Sequence, residues 1–102
     1  LYKKGKALKS LGNNREALQV YEEVVMQDSL NPRAYIEAAE CCKSLLKNKQ
    51  ALKYYQKAEH LARQLKDTNT LKELAYNIGS TYLEWKQYDL AKEKLLFSKD
   101  LE

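Results

Sequence analysis

Cys41, Cys42 and His60 are the residues of this chain whose side chains most readily act as nucleophiles or metal ligands. The two cysteines are adjacent, and neighbouring residues on a helix point about 100° apart, so a disulfide between them would be strained. They lack the spacing of a redox or zinc motif, and the single histidine has no second ligand near it in sequence. We therefore predict two reduced, buried thiols and a surface histidine, with no metal site.

Glycine-rich phosphate loops, Walker signatures and nucleophile elbows are also missing from the sequence. Because no set of catalytic residue types occurs at a useful spacing, we predict that the protein is not an enzyme and has neither a catalytic site nor a cofactor.

Basic residues are concentrated at the start of the chain. The net charge is +4, and residues 1–16 hold five basic residues against one acidic residue, while the rest is neutral overall. Lys3, Lys6 and Lys9 recur at every third position and can receive acidic side chains of a ligand. An RNA-binding helical solenoid that uses this basic first helix is the alternative function. So few charges would give only weak and salt-dependent attraction to RNA, which makes nucleic acid the less favoured partner.

The composition is that of one folded domain. Of the 102 residues 44% are hydrophobic and 31% are charged, with one proline and three glycines. No apolar run approaches the 18 or more residues that a membrane span needs, and no signal peptide is apparent. We therefore expect no membrane association and an intracellular, cytoplasmic protein. Because the chain starts at Leu1 and the helical pattern still runs at Glu102, we expect it to be a piece of a longer protein.

Three alanines, Ala17, Ala51 and Ala91, each open the second helix of a predicted helical pair. Apolar residues before and after each alanine recur at spacings of three and four, the period of an amphipathic helix. Short polar turns separate the two helices of each pair, at residues 13–15, 47–49 and 86–89. The stripe that we expect to face inward in the third pair consists of Leu71, Ala75, Ile78, Tyr82 and Trp85. The helix that opens near Ala51 should run about a turn longer than its predecessor.

The sequence also predicts where two of the helices begin. Asn31 followed by Pro32 predicts an N-cap with proline at the first helical position. Thr70 and Glu73 have the spacing of a capping box, in which each side chain satisfies a free backbone N–H.

The spacing of small and large residues resembles the tetratricopeptide repeat, whose 34-residue pattern has a glycine and a tyrosine before a conserved alanine position. The positions that match are Gly5, Leu8 and Ala17 in the first repeat, Ala39, Cys42 and Ala51 in the second, and Gly79, Tyr82 and Ala91 in the third. A large apolar residue follows each alanine by four positions, at Tyr21, Tyr55 and Leu95. The resemblance implies an all-α, right-handed superhelical solenoid of three antiparallel helix pairs, with repeats at about 1–30, 31–66 and 68–102 of a single domain.

The interval between alanines changes along the chain. It is 34 residues from Ala17 to Ala51 and 40 residues from Ala51 to Ala91. The longer interval resembles the 40-residue subclass of kinesin light chains and spindle-orientation adaptors, which implies an adaptor or scaffold role.

A solenoid of this family has a concave groove, lined by the first helix of each pair, that binds a short peptide or helical segment of a partner protein. Three helices spaced by about 9 Å make a groove of roughly 20 to 30 Å. The residues that the helical wheel and the resemblance together place toward it are Tyr2, Lys3, Lys6, Lys9, Ile36, Glu37, Glu40, Lys43, Tyr76, Asn77, Ser80 and Glu84.

One ligand class is disfavoured by the same resemblance. Family members that bind chaperone C-terminal tails use a clamp of lysine, asparagine and arginine, and the matching positions here hold Tyr2, Lys6, Glu37, Glu73 and Asn77. Two carboxylates in place of an amide and a cation would repel a terminal carboxylate, so we do not expect chaperone tails as partners.

The end of the chain is apolar. Leu95, Leu96 and Phe97 crowd the last predicted helix, and a terminal repeat exposes the surface that the next repeat would cover. We therefore predict self-association through this helix.

Overall fold

The computed structural model describes the backbone of residues 1–101 and the side chains of residues 1–87. Within that part of the chain the protein consists of five α-helices and has no strand. The helices are α1 (Tyr2–Ser10), α2 (Asn14–Gln27), α3 (Pro32–Ser44), α4 (Asn48–Gln64) and α5 (Thr68–Leu101). Each helix packs against the next one in sequence. The predicted all-α, solenoid-like fold is confirmed.

Small residues bring the helices of the first two pairs together. Ala17 and Ala51 are fully buried, and Tyr21 and Tyr55, four residues after each alanine, fill the core beside them. The absence of a large side chain at the alanine positions lets the backbones approach closely. The alanine pattern therefore marks real helix contacts in these two pairs. Ala91 lies outside the residues whose side chains are described.

Three of the four turns share one geometry. Gly12, Leu46 and Lys66 each follow a helix end and have positive φ, at 83°, 62° and 55°. In each case the next residue donates its backbone N–H to a carbonyl five residues earlier, as Lys47 does to Cys42 at 2.8 Å. This is the Schellman arrangement that closes a helix by satisfying its last carbonyls.

The two predicted helix starts have different outcomes. The side chain of Asn31 accepts hydrogen bonds from the backbone of Arg33 and Ala34, which confirms the N-cap of α3. The capping box at Thr70 is wrong, because α5 begins two residues earlier and Asp67 caps it. Asp67 accepts the backbone N–H of Thr70 at 3.1 Å and its hydroxyl at 2.6 Å. An aspartate at the cap satisfies the free amides and carries a charge that the helix N-terminus favours.

Helix α4 has 17 residues and α2 has 14, so the predicted extra turn in the second repeat is confirmed. The third repeat differs from the prediction. No turn separates two helices at residues 86–89, because α5 continues through this segment from Thr68 to Leu101. The predicted turn contains neither glycine nor asparagine, which the first two turns have, and it is surrounded by strong helix formers.

The buried side of α5 matches the predicted stripe in part. Leu71 and Ile78 pack against the core and Trp85 is half-buried, as predicted. Leu74 and Thr81 are fully buried against the rest of the protein, whereas Ala75 and Tyr82 are exposed. Helix α5 packs on α4, and the covered stripe runs through Leu71, Leu74, Ile78 and Thr81.

Candidate functional site

A lysine and two carboxylates join α1 to α3. Lys9 Nζ lies 2.9 Å from Glu37 Oε2 and also donates to Glu40. Burial would lower the pKa of Lys9, but its hydrogen bonds to Glu40 and Glu37 outweigh this and raise that pKa above its ordinary value. The ammonium is therefore held in its charged form between the two helices.

A two-pronged ion pair joins α3 to α5. Arg33 Nη1 donates to Glu73 Oε1 at 3.0 Å, and Arg33 Nη2 donates to Glu73 Oε2 at 2.9 Å. These hydrogen bonds lower the pKa of the Glu73 carboxyl. The paired geometry fixes the direction of both side chains, although each remains well exposed and is screened by solvent.

Lys43 provides a second connection between α3 and α5. Its Nζ lies 3.2 Å from Ser80 Oγ and 3.4 Å from Glu84 Oε1. Since Ser80 and Glu84 are four residues apart on α5, they lie on the same side of that helix.

All these bridges lie on one face, which we call the α1–α3–α5 face. On α3 the bridging residues, Arg33, Glu37, Glu40 and Lys43, follow one another at spacings of four and three, so they share a stripe. A depression of about 300 Å³ opens on this face between α1 and α3. Its lining residues are Lys6, Lys9, Ser10 and Glu37. Polar contacts thus join the first helices of successive repeats on this face.

Residues 1–29 and 73–94, together half of the chain, match the family model of the tetratricopeptide repeat. The chain belongs to the tetratricopeptide repeat family. Such repeats generally mediate protein–protein interaction and scaffolding. The first match contains α1 and α2 of this repeat protein, and the second begins within α5. A comparison with curated proteins gives no match. The 40-residue subclass stays a prediction.

Most of the predicted groove residues of this repeat protein have accessible side chains. The exposed ones are Lys3, Lys6, Tyr76 and Glu84, and the half-buried ones are Tyr2, Lys9, Glu40, Lys43, Asn77 and Ser80. Glu37 is only 9% exposed, yet its carboxylate reaches Lys9. The structure also brings Lys6 over the ring of Tyr2, with 5.9 Å from Nζ to the centroid.

The prediction that Ile36 faces the groove is wrong. Its side chain is fully buried within the core cluster, so it offers no surface to a partner. Helix α3 is the central helix, and every residue from 34 to 39 is buried. A helical wheel that assumes one apolar stripe underestimates the buried arc of a helix with neighbours on several sides.

The Arg33–Glu73 pair is the feature of this face that the groove prediction missed. A signal for it was present, because the two residues are 40 positions apart, the same interval as between the second and third alanines. Residues one repeat apart lie beside each other in a stacked solenoid. Aligning the repeats by charge as well as by alanine would have paired them.

Two cysteines and one histidine were the candidates for nucleophilic or metal-binding chemistry. Burial raises the pKa of Cys41 to about 11 and that of Cys42 to about 12, so both thiols stay protonated at neutral pH. Both are free and buried, and His60 is exposed beside Gln64, as predicted. Among the described residues no group of His, Cys, Asp and Glu can hold a metal ion.

Two further predictions concern the exterior. In the described part of the chain no helix is both long enough and apolar enough to span a membrane. The predicted self-association surface at Leu95, Leu96 and Phe97 lies outside the residues whose side chains are described, so it stays a prediction.

Proposed function

We propose that this tetratricopeptide repeat module is a non-enzymatic adaptor that binds a short segment of a partner protein across the α1–α3–α5 face. The observation that carries the proposal is the row of polar bridges formed by Lys9, Arg33 and Lys43. These bridges align three helices and leave hydrogen-bonding side chains at the surface, together with a depression beside Lys6. A face of this kind can bind a ligand without first rearranging, which reduces the entropy lost on binding.

The two ends of the face favour different ligand groups. Lys3 and Lys6 on α1 are exposed, and the carboxylates of α3 pair with Lys9 rather than with them. On α5 the residue Tyr76 is 77% exposed, so its side chain offers apolar contact area. The ligand that fits is a short segment with acidic residues toward α1 and a large apolar residue toward α5. An extended segment of about six to nine residues would cover a groove of this size.

Other ligands have less support. Glu37 and Glu73 offer carboxylates where a chaperone tail needs donors, so we expect no binding of such tails. For RNA, Lys9 is already neutralised by two carboxylates, which leaves fewer free charges on α1 for phosphate contacts.

Selection from a displayed library of random nine-residue peptides tests the proposal. We expect the wild-type chain to enrich peptides that combine acidic residues with one large apolar residue. Lys3→Glu with Lys6→Glu should weaken the binding of enriched peptides by about tenfold or more, because favourable charge pairs become repulsive. The matched control is Lys57→Glu with Lys72→Glu, which makes the same charge change at exposed positions of α4 and α5. Equal weakening by both double variants would contradict a site on this face.

A further inference from the structure

A larger depression lies at the N-terminal end of α4. None of its lining residues belongs to the α1–α3–α5 face. It has a volume of about 770 Å³. Its lining residues are Leu46, Lys47, Asn48, Lys49, Gln50, Lys53, Tyr54 and Trp85. The turn between α3 and α4 forms one side, the first turns of α4 form the floor, and α5 closes the other side through Trp85. We call it the turn pocket.

Within the part of the chain whose side chains are described, the turn pocket carries charge of one sign. Lys47, Lys49 and Lys53 line it and are exposed, and none of its described lining residues is an aspartate or a glutamate. The rest of the chain beyond the first helix and its turn is neutral overall, so three lysines at one opening are a local concentration of positive charge.

Backbone and amide donors add to this charge. The N-terminus of α4 has no side-chain cap, which leaves the first backbone N–H groups of a 17-residue helix without a side-chain acceptor. Asn48 is only 6% exposed and lines the pocket beside these N–H groups.

The remaining wall is apolar. Tyr54 and Trp85 contribute aromatic rings, and Leu46 stands at the opening with 66% of its surface exposed. The Trp85 ring is stacked with that of Tyr82 at a centroid distance of 6.5 Å, which holds it in place. Aromatic residues beside cationic ones suit a ligand that carries both an anionic and an apolar group.

We propose that the turn pocket binds a short acidic peptide segment that contains one large apolar residue. The carboxylates contact the three lysines and the free amides of α4, and the apolar side chain packs between Leu46, Tyr54 and Trp85. This site is additional to the α1–α3–α5 face, and it does not depend on binding there. The module would then hold two partner segments at once, which is a way in which a scaffold gains avidity.

A peptide fits the turn pocket better than a nucleic acid does, because acidic residues flank the three lysines on both sides. Glu22 accepts a hydrogen bond from the Tyr54 hydroxyl at 2.9 Å on one side, and Glu84 immediately precedes Trp85 on the other. A single-stranded nucleic acid needs a continued basic track for successive phosphates, whereas a short peptide needs only the local cluster.

Trp85 is the only tryptophan of the chain, so its fluorescence reports directly on the turn pocket. The probe is acetyl-Asp-Glu-Phe-Glu-Asp-amide, which has no terminal charges, and the full chain is titrated at low salt. We expect a saturable change in Trp85 fluorescence that weakens as salt is added. The same peptide with Asn and Gln in place of its acids should produce no saturable change.

Variants locate the binding site. Lys49→Glu with Lys53→Glu should weaken the binding of the probe by about tenfold or more, through charge reversal. Lys3→Glu with Lys6→Glu has the same charge change on the other face and should leave probe binding intact. This second variant also separates the two proposals, because it should weaken peptides that bind the α1–α3–α5 face by about tenfold or more while the Trp85 signal of the probe is unchanged. Leu46→Gly removes the apolar side chain at a positive φ where glycine is favoured, so it should weaken probe binding while the chain stays folded.

Three outcomes would overturn the proposal. The first is equal weakening by both lysine double variants, and the second is equal binding of the uncharged peptide. The third is a saturable change with a uridine oligonucleotide at a salt concentration where the acidic peptide gives none, which would assign the pocket to single-stranded RNA.

Discussion

Gly5 on α1 lies directly against the ring of Tyr21 on α2. A Cβ atom built on Gly5 would be 2.9 Å from two ring atoms of Tyr21, closer than such contacts occur in proteins. The ring has little room to move, because Tyr21 is fully buried and Tyr2 packs edge-on against it at 5.8 Å. This contact fixes the distance between the first two helices.

Gly5→Ala should therefore destabilise the chain. Overpacking of a tight contact costs about 1 to 3 kcal/mol, and the higher helix propensity of alanine returns only about 1 kcal/mol. We expect a net loss of about 1 kcal/mol, measured as a lower midpoint in urea unfolding followed by circular dichroism. An unchanged or higher midpoint would show that Tyr21 yields and that the contact does not set the helix spacing.

Gly79→Ala is the matched substitution, and we expect the opposite sign. Gly79 occupies the position in the third repeat that Gly5 has in the first, but nothing lies within 4 Å of its built Cβ. In an exposed helix interior, replacing glycine by alanine stabilises by about 0.5 to 1 kcal/mol. A raised midpoint is expected, because α5 is one continuous helix and its Gly79 faces open space. A lowered midpoint would contradict this open environment of Gly79.

Some helix contacts and helix starts could be predicted from the sequence. Ala17 and Ala51 could be predicted as helix contacts because a close approach of two helices requires a small residue, which recurs at a fixed spacing in the sequence. The N-cap at Asn31 could be predicted because it depends only on residues next to it in sequence. The continuous helix over residues 86–89 could not be predicted from the spacing of the repeat residues, because that spacing is the same whether or not a turn follows.

The polar contacts of the candidate face show the same limit. Helical spacing brought Lys9, Glu37 and Glu40 into the predicted groove as separate residues, but it could not show that they neutralise one another. Ile36 was misplaced because the number of neighbours around α3 is a tertiary property. Pairing between helices depends on the stacking distance, which the sequence does not state.

The Arg33–Glu73 pair makes stability depend on pH in a definite direction. The pKa of Glu73 is lowered in the folded state, so the unfolded state binds the proton more readily, and stability is lost as pH falls through and below the ordinary glutamate value of 4.5. Glu73→Gln should reduce the free energy of unfolding at pH 7 by less than about 1 kcal/mol, because the pair is partly exposed. The difference between wild type and variant should shrink as pH is lowered.

Urea unfolding of both chains at pH 7 and at pH 3.5 measures this difference. The comparison with the variant matters because Asp67, whose pKa is lowered by its hydrogen bonds to Thr70, changes stability in the same direction in both chains. A variant that loses equal stability at both pH values would show that Glu73 acts through packing and not through its charge.

Leu46 is a leucine at a backbone conformation that favours glycine. Its φ is 62° and its side chain is 66% exposed, so little packing offsets the strain of a left-handed residue, which is about 1 kcal/mol. Leu46→Gly should therefore raise the free energy of unfolding by up to about that amount. Gly12 has the same role at the end of α1, with φ 83° and nothing near its built Cβ, so Gly12→Ala should lower the free energy of unfolding by a similar amount. Thermal unfolding of the two variants beside wild type measures both effects, and destabilisation by Leu46→Gly would mean that the leucine stabilises the turn through contacts stronger than its exposure indicates.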